Sequence, residues 1–99
     1  MRMEQIGTTL VVKLEGDIDQ SCAGHIRAEI DREIQKKYIK NLIMDFAEVP
    51  FMDSSGIGMI VGRYKQIKAR DGKTMIIRTQ PQVNRILELS GLKKIIDCG

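Results

Sequence analysis

A chain of 99 residues with 42% hydrophobic side chains and two prolines has the size and composition of one globular domain with one core, which excludes a disordered or fibrous protein. Folding at this size buries about two-thirds of the unfolded surface, which leaves little room for a deep substrate cavity beside the core and weighs against a complex enzyme. The net charge of +3 is small, its lysines and arginines are interspersed with acidic residues, and four aromatics are few for stacking on bases, so no direct nucleic-acid partner is expected.

In chain order, Met3 to Ile6 and Leu10 to Leu14 alternate apolar and polar residues around Gly7-Thr8-Thr9, which predicts an antiparallel hairpin. Gly16-Asp17-Ile18-Asp19 breaks the alternation. Asp19 or Ser21 is placed to cap a helix whose apolar stripe Ala23, Ile26, Ile30, Ile34 follows the 3.6-residue period. That helix should end near Lys37, with Glu33 and Lys37 paired one turn apart. Asn41 to Phe46 is the next strand, with Leu42, Met44 and Phe46 on one face and Ile43 and Asp45 on the other. Ser54 to Arg70 reads as a second helix, apolar toward the sheet at Ile57, Ile60, Val61, Tyr64 and Ile67 and closed by Gly72. Thr74 to Arg78 is a further strand. Thr79-Gln80-Pro81-Gln82 resembles a capping box with proline in the first turn of a short helix through Val83, Ile86 and Leu87, which stops at Ser90-Gly91. Leu92 packs back over that end, and Ile95-Ile96 supplies a short edge strand.

Two consecutive strand-helix-strand units require parallel strands, and the hairpin adds one antiparallel member. Single charges at alternating strand positions put the helices mainly on one face. The fold class is therefore α/β: a single domain over residues 1–99 with a mixed four- to five-stranded sheet. Cys22 and Cys98 stand far apart, outside any Cys-x-x-Cys or Cys/His cluster, so neither a metal site nor a disulfide framework is indicated. With no apolar run near the roughly 20 residues that span a bilayer, and no signal-like N-terminus, a cytosolic protein with no membrane partner is expected.

The chemistry gathers at Val49 to Gly62, where a strand leads into a helix at the carboxyl end of a parallel sheet. Ser54 stands at the helix start beside open backbone N–H groups and the positive end of the helix dipole. Capping alone explains Asp53 and Ser54. With the apolar stripe turned to the sheet, however, Ser55, Gly58, Met59, Gly62 and Gln66 point outward, and two glycines in an exposed helix cost about 1 kcal/mol each relative to alanine. Small residues beside an exposed methionine make a flat, adaptable patch for a partner backbone. Other chemistries have weaker support. Gly56, Gly58 and Gly62 resemble a dinucleotide-binding pattern, yet fall inside the helix instead of before it. Asp53-Ser54-Ser55-Gly56 is not a nucleophile elbow, and the one histidine, His25, reads as a surface residue. Asp17, Asp19, Asp45 and Asp53 could gather at one end of the sheet and bind a divalent cation as in a phosphoacceptor receiver domain, although capping and turn roles explain them equally well.

Phe51-Met52-Asp53-Ser54-Ser55-Gly56-Ile57-Gly58, followed by Gly62-Arg63-Tyr64-Lys65-Gln66-Ile67-Lys68, resembles STAS domains of the anti-sigma-factor antagonist family, the sporulation antagonists among them. Leu14-x-Gly16-x-Ile18-Asp19 and Ser90-Gly91-Leu92-x-Lys94-Ile95-Ile96 extend the likeness over essentially the whole chain. The resemblance implies a binding switch and not an enzyme. An anti-sigma factor with serine kinase activity binds the unmodified protein, a sigma factor is freed, phosphorylation of Ser54 releases the partner, and a serine phosphatase of the PP2C type restores the serine. ATP belongs to the kinase, so no cofactor is implied for this chain, which is expected to be a monomer when free. The partner-binding residues implied by the outward face and the family motif together are Asp19, Asp53, Ser55, Gly56, Gly58, Met59, Gly62, Arg63 and Gln66. Family members often continue into a further helix beyond the position of Cys98-Gly99.

Overall fold

The computed structural model describes residues 1–36 and 38–99. Its elements in order are β1 (Arg2–Ile6), β2 (Thr9–Glu15), α1 (Ala23–Lys36), β3 (Asn41–Glu48), α2 (Ser54–Lys68), β4 (Thr74–Ile77), α3 (Pro81–Ser90), a single 3-10 turn (Leu92–Lys94) and β5 (Asp97–Cys98). The five strands form one sheet in the order β1-β2-β3-β4-β5, with β1 antiparallel to β2 and every later pair parallel.

The period-two pattern of the strands decides which face is covered. Leu10 and Val12 lie opposite Leu42 and Met44, which lie opposite Thr74 and Ile76, and all six are buried. Ile26, Ile30 and Ile34 of α1, Ile60 and Ile67 of α2, and Val83 and Leu87 of α3 complete the same core. Each such side chain contributes about 1.5–3 kcal/mol by leaving water. On the reverse face Val11, Lys13, Ile43 and Ile77 are half-buried and Met75 is exposed, so the helical cover lies mainly on one side.

Several local features depart from the sequence pattern. Thr9 belongs to β2, which leaves Gly7-Thr8 as a two-residue hairpin loop, with Gly7 in the left-handed region (φ 61°) that the first position of a tight turn can require. The Glu33–Lys37 pair involves a residue outside those described, while Lys36 Nζ lies 3.6 Å from Glu33 Oε2. Gly72 does not supply a left-handed helix end. Asp71 takes that conformation (φ 60°), and a Cβ on Gly72 would stand 1.6 Å from the Lys40 carbonyl oxygen, so the glycine permits close approach of two backbones. The edge strand is Asp97–Cys98 and not Ile95-Ile96, because the amides of Ile95 and Ile96 both turn back to the Leu92 carbonyl. Among the described residues no helix is long and apolar enough to cross a membrane.

Candidate functional site

The connection from β3 to α2 is held along both edges. On one side the Ile18 N–H donates to the Phe51 carbonyl (3.0 Å) and the Asp53 N–H donates to the Ile18 carbonyl (3.1 Å), an isolated parallel bridge beyond the sheet proper. This pairing sets the segment that carries Asp19 beside the one that carries Ser54. On the other side the Met52 N–H donates to Gln82 Oε1 (3.1 Å), and Gln82 Nε2 approaches the Met52 carbonyl at 3.5 Å. Gln80 Nε2 donates to the Ala47 carbonyl (2.9 Å). The Met52 side chain itself is fully buried.

Asp53 is the N-cap of α2, extended at φ −111° and ψ −169°, and its Oδ1 accepts the Ser55 N–H at 2.8 Å. Such a cap is worth about 1 kcal/mol. Ser54 is consequently the first helical residue. It is exposed, and no described residue hydrogen-bonds its hydroxyl. Asp19 lies just before α1, where its Oδ1 accepts both the Ser21 N–H (2.9 Å) and the Ser21 hydroxyl (2.6 Å). Those two bonds hold the Asp19 carboxyl below its ordinary range.

The face assigned to α2 needs correction. Its buried residues are Gly56, Met59, Ile60, Arg63 and Ile67, whereas Ile57, Val61 and Tyr64 are only half-buried. The buried stripe is displaced by a residue from the apolar one because α2 packs against α1 as well as against the sheet. Met59 is 4% exposed, so it is no part of a flat outer patch. It lies instead in a shallow groove of about 370 Å³ with Gln20, Ala23, Gly24, Arg27, Ser55 and Gly58. Gly58 is exposed, and a Cβ on it would meet nothing. Gly62 and Gln66 are half-buried. Gly56 faces inward: a Cβ there would stand 2.2 Å from Met52 Cγ and 3.2 Å from Ile18 Cγ2.

Arg63 and Gln66 join the two helices. Gln66 Nε2 donates to Asp31 Oδ1 (2.8 Å), and the buried Arg63 places Nε 2.8 Å from the same oxygen, though its N–H is not aligned for a hydrogen bond. Burial pushes the Arg63 guanidinium below its ordinary pKa, and Asp31 opposes that shift. These two residues therefore hold α1 against α2.

Three of the four aspartates, Asp19, Asp45 and Asp53, each have a separate partner. Asp53 caps α2, Asp19 binds Ser21, and Asp45 receives Arg78 Nε at Oδ1 (3.1 Å) and Arg78 Nη2 at Oδ2. Among the described residues no group of three His, Cys, Asp or Glu side chains is arranged to hold a metal ion. The glycines that resemble a dinucleotide pattern all fall inside α2.

Residues 1–99 match the STAS domain family. The chain belongs to that family. It is 35% identical to the anti-sigma F factor antagonist of Paenibacillus polymyxa, over 97% of this chain and 82% of that protein. The anti-sigma factor antagonist SpoIIAA in its unphosphorylated form superposes with a TM-score of 0.87 at 30% identity, over 99% of this chain and 86% of that one. The Bacillus cell fate determinant SpoIIAA in its phosphorylated form gives 0.77 at 29% identity, over 99% and 89%.

Two features of this STAS domain escaped the sequence reading. Phe51, 42% exposed, stands three residues before Ser54, and an aromatic preceding the Asp-Ser pair in a chain with four aromatics was the available signal. Gln80 and Gln82 build no capping box, since Gln80 is the N-cap of α3 without a side-chain capping bond, and the two amides reach β3 at Ala47 and the β3–α2 connection at Met52 instead. Nothing local in the sequence distinguishes them from capping residues.

Proposed function

We propose that this STAS domain is an anti-sigma factor antagonist. Its unmodified form binds an anti-sigma factor that is also a serine kinase, a sigma factor is freed, and phosphorylation of Ser54 ends the binding. The observation that carries this reading is an unengaged hydroxyl on the first residue of α2, within Asp-Ser-Ser-Gly, in a chain resembling a protein solved in both phosphorylated and unphosphorylated forms. The exposed Phe51 and the groove beside Ser55 and Gly58 offer adjacent docking surface.

In the transfer, the Ser54 Oγ bonds to the γ-phosphorus of ATP held by the kinase, ADP leaves, and the hydroxyl proton passes to a base of the kinase. The product adds about −1.5 to −2 charge units next to Asp53. The positive end of the α2 dipole accommodates that charge. A partner surface fitted to a neutral hydroxyl does not, and like-charge or desolvated contacts there cost several kcal/mol. Hydrolysis of the phosphoserine by a PP2C-type phosphatase restores the binding form.

Incubation with the kinase and ATP should place one acid-stable phosphate on Ser54. Ser54→Ala should bind the partner and take up no phosphate, and Ser54→Asp should bind at least about tenfold more weakly. Equal capture of both variants and wild type would defeat the reading.

A further inference from the structure

Met52 is hydrogen-bonded as a residue in a central strand is, although among the described residues no strand lies on its α3 side. The flanking groups of Phe51 and Asp53 point to Ile18, while the N–H and carbonyl of Met52 point the opposite way, to the side chain of Gln82. A primary amide carries the same donor and acceptor as a peptide, so one exposed side chain thirty residues away completes the ladder. The reach fits glutamine. A glutamate at this position would accept from the Met52 N–H but would set a carboxylate against its carbonyl, and methionine would do neither.

The held peptide lies two residues before Ser54. The side chain of Met52 fills the space below Gly56, so a shift at Met52 moves the first turn of α2. We infer that Gln82 is a positioning residue for phosphoryl transfer: its amide clamps the Met52 backbone, and thereby presents the Ser54 hydroxyl to the kinase in one orientation. This rests on the reading of Ser54 given above. Gln82 sits on α3, outside the segment that carries the phosphoacceptor, so its loss should leave the docking of the kinase largely intact and impair the chemical step.

The test compares wild type, Gln82→Met and Gln82→Glu as substrates of the anti-sigma factor kinase with ATP. It also records the Met52 amide hydrogen exchange by NMR. Both variants should lower kcat by about tenfold or more, because small misplacements of a reacting group are amplified in the rate. KM should stay within about twofold. Met52 exchange should quicken by about tenfold or more in Gln82→Met and by less in Gln82→Glu, whose carboxylate still accepts the N–H. Unchanged Met52 exchange in Gln82→Met would overturn the clamp. Faster exchange with unaltered kcat would reduce Gln82 to a stabilising residue and overturn the proposal, as would failure of both variants to fold. If wild type itself takes no phosphate on Ser54, the functional reading fails and the positioning role with it, while the exchange data still decide whether the clamp exists.

Discussion

Of the connections that lead from the carboxyl end of a parallel strand into a helix, β3–α2 and β4–α3 are built in opposite ways. The β3–α2 connection caps its own helix through Asp53 and leaves Ser54 in the open. The β4–α3 connection has Arg78 in the left-handed region (φ 58°) and a helix whose N-cap, Gln80, makes no side-chain capping hydrogen bond. Three of its polar side chains leave home, Arg78 to Asp45, Gln80 to Ala47 and Gln82 to Met52, while the Thr79 hydroxyl stays local on Asn84 Oδ1 (3.5 Å). Those three targets lie on β3 or the connection that follows it. The second junction thus uses most of its polar side chains to buttress the first, which leaves Ser54 exposed on a connection that is held from both sides.

The receiving junction can be broken from inside. Gly56→Ala puts a methyl group 2.2 Å from Met52 Cγ and 2.5 Å from its Sδ, in a region where Met52 and Ile18 are both fully buried. Overpacking of this kind should destabilise the domain by about 2–3 kcal/mol, read as a lower urea midpoint with an unchanged slope. The same substitution two residues on should act in the other direction. A Cβ at Gly58 meets nothing within 4 Å, so Gly58→Ala should gain about 0.5–1 kcal/mol in helix propensity. If both variants lost stability equally, the placement of Gly56 and Gly58 on opposite faces of α2 would be wrong.

The contact between the junctions that involves charge can be weakened by substitution or by acid. Asp45→Asn keeps an acceptor for the Ala47 N–H and removes the charge that Arg78 meets. With Asp45 buried and Arg78 largely exposed, a loss of about 1–2 kcal/mol at pH 7 is expected, less than for a pair wholly removed from water. Arg78 holds the Asp45 carboxyl below its ordinary value of 3.8, against the opposing effect of burial. The ionised pair therefore stabilises the fold fully above that value, and its contribution fades as the pH falls through the lower folded-state pKa. Denaturation curves of wild type and Asp45→Asn should accordingly converge as the solution is acidified below the ordinary carboxylate range. A gap that stayed constant with pH would show that the pair contributes nothing as an ion pair.

How much of this could be read from the sequence follows from how local each cause is. The β1–β2 hairpin and the α1 stripe Ala23, Ile26, Ile30, Ile34 were legible because the residues they bury are themselves apolar and keep one period. The Asp53 cap was legible because its partner is two residues away. The buried face of α2 was misread because that helix has two neighbours, and the residues turned toward them include a glycine and an arginine, neither of which carries an apolar signal. Gly56 looked like a docking residue until its contact with Met52 gave it a packing reason. The glutamines were beyond reach for a different reason. Their partners are 30 and 33 residues earlier, and a capping pattern accounts for the same letters.

The smallest effect separates the two glutamines from each other. Gln80 makes one hydrogen bond to a carbonyl of β3, seven residues before Ser54, in a strand that is also held by β2 and β4. Gln80→Ala should therefore lose about 0.5–1.5 kcal/mol of stability and leave Met52 amide exchange as it is in wild type. If it loosened Met52 as much as Gln82→Met does, α3 would be acting as one body docked on the connection. The support for Ser54 would then come from the whole helix and not from a single amide.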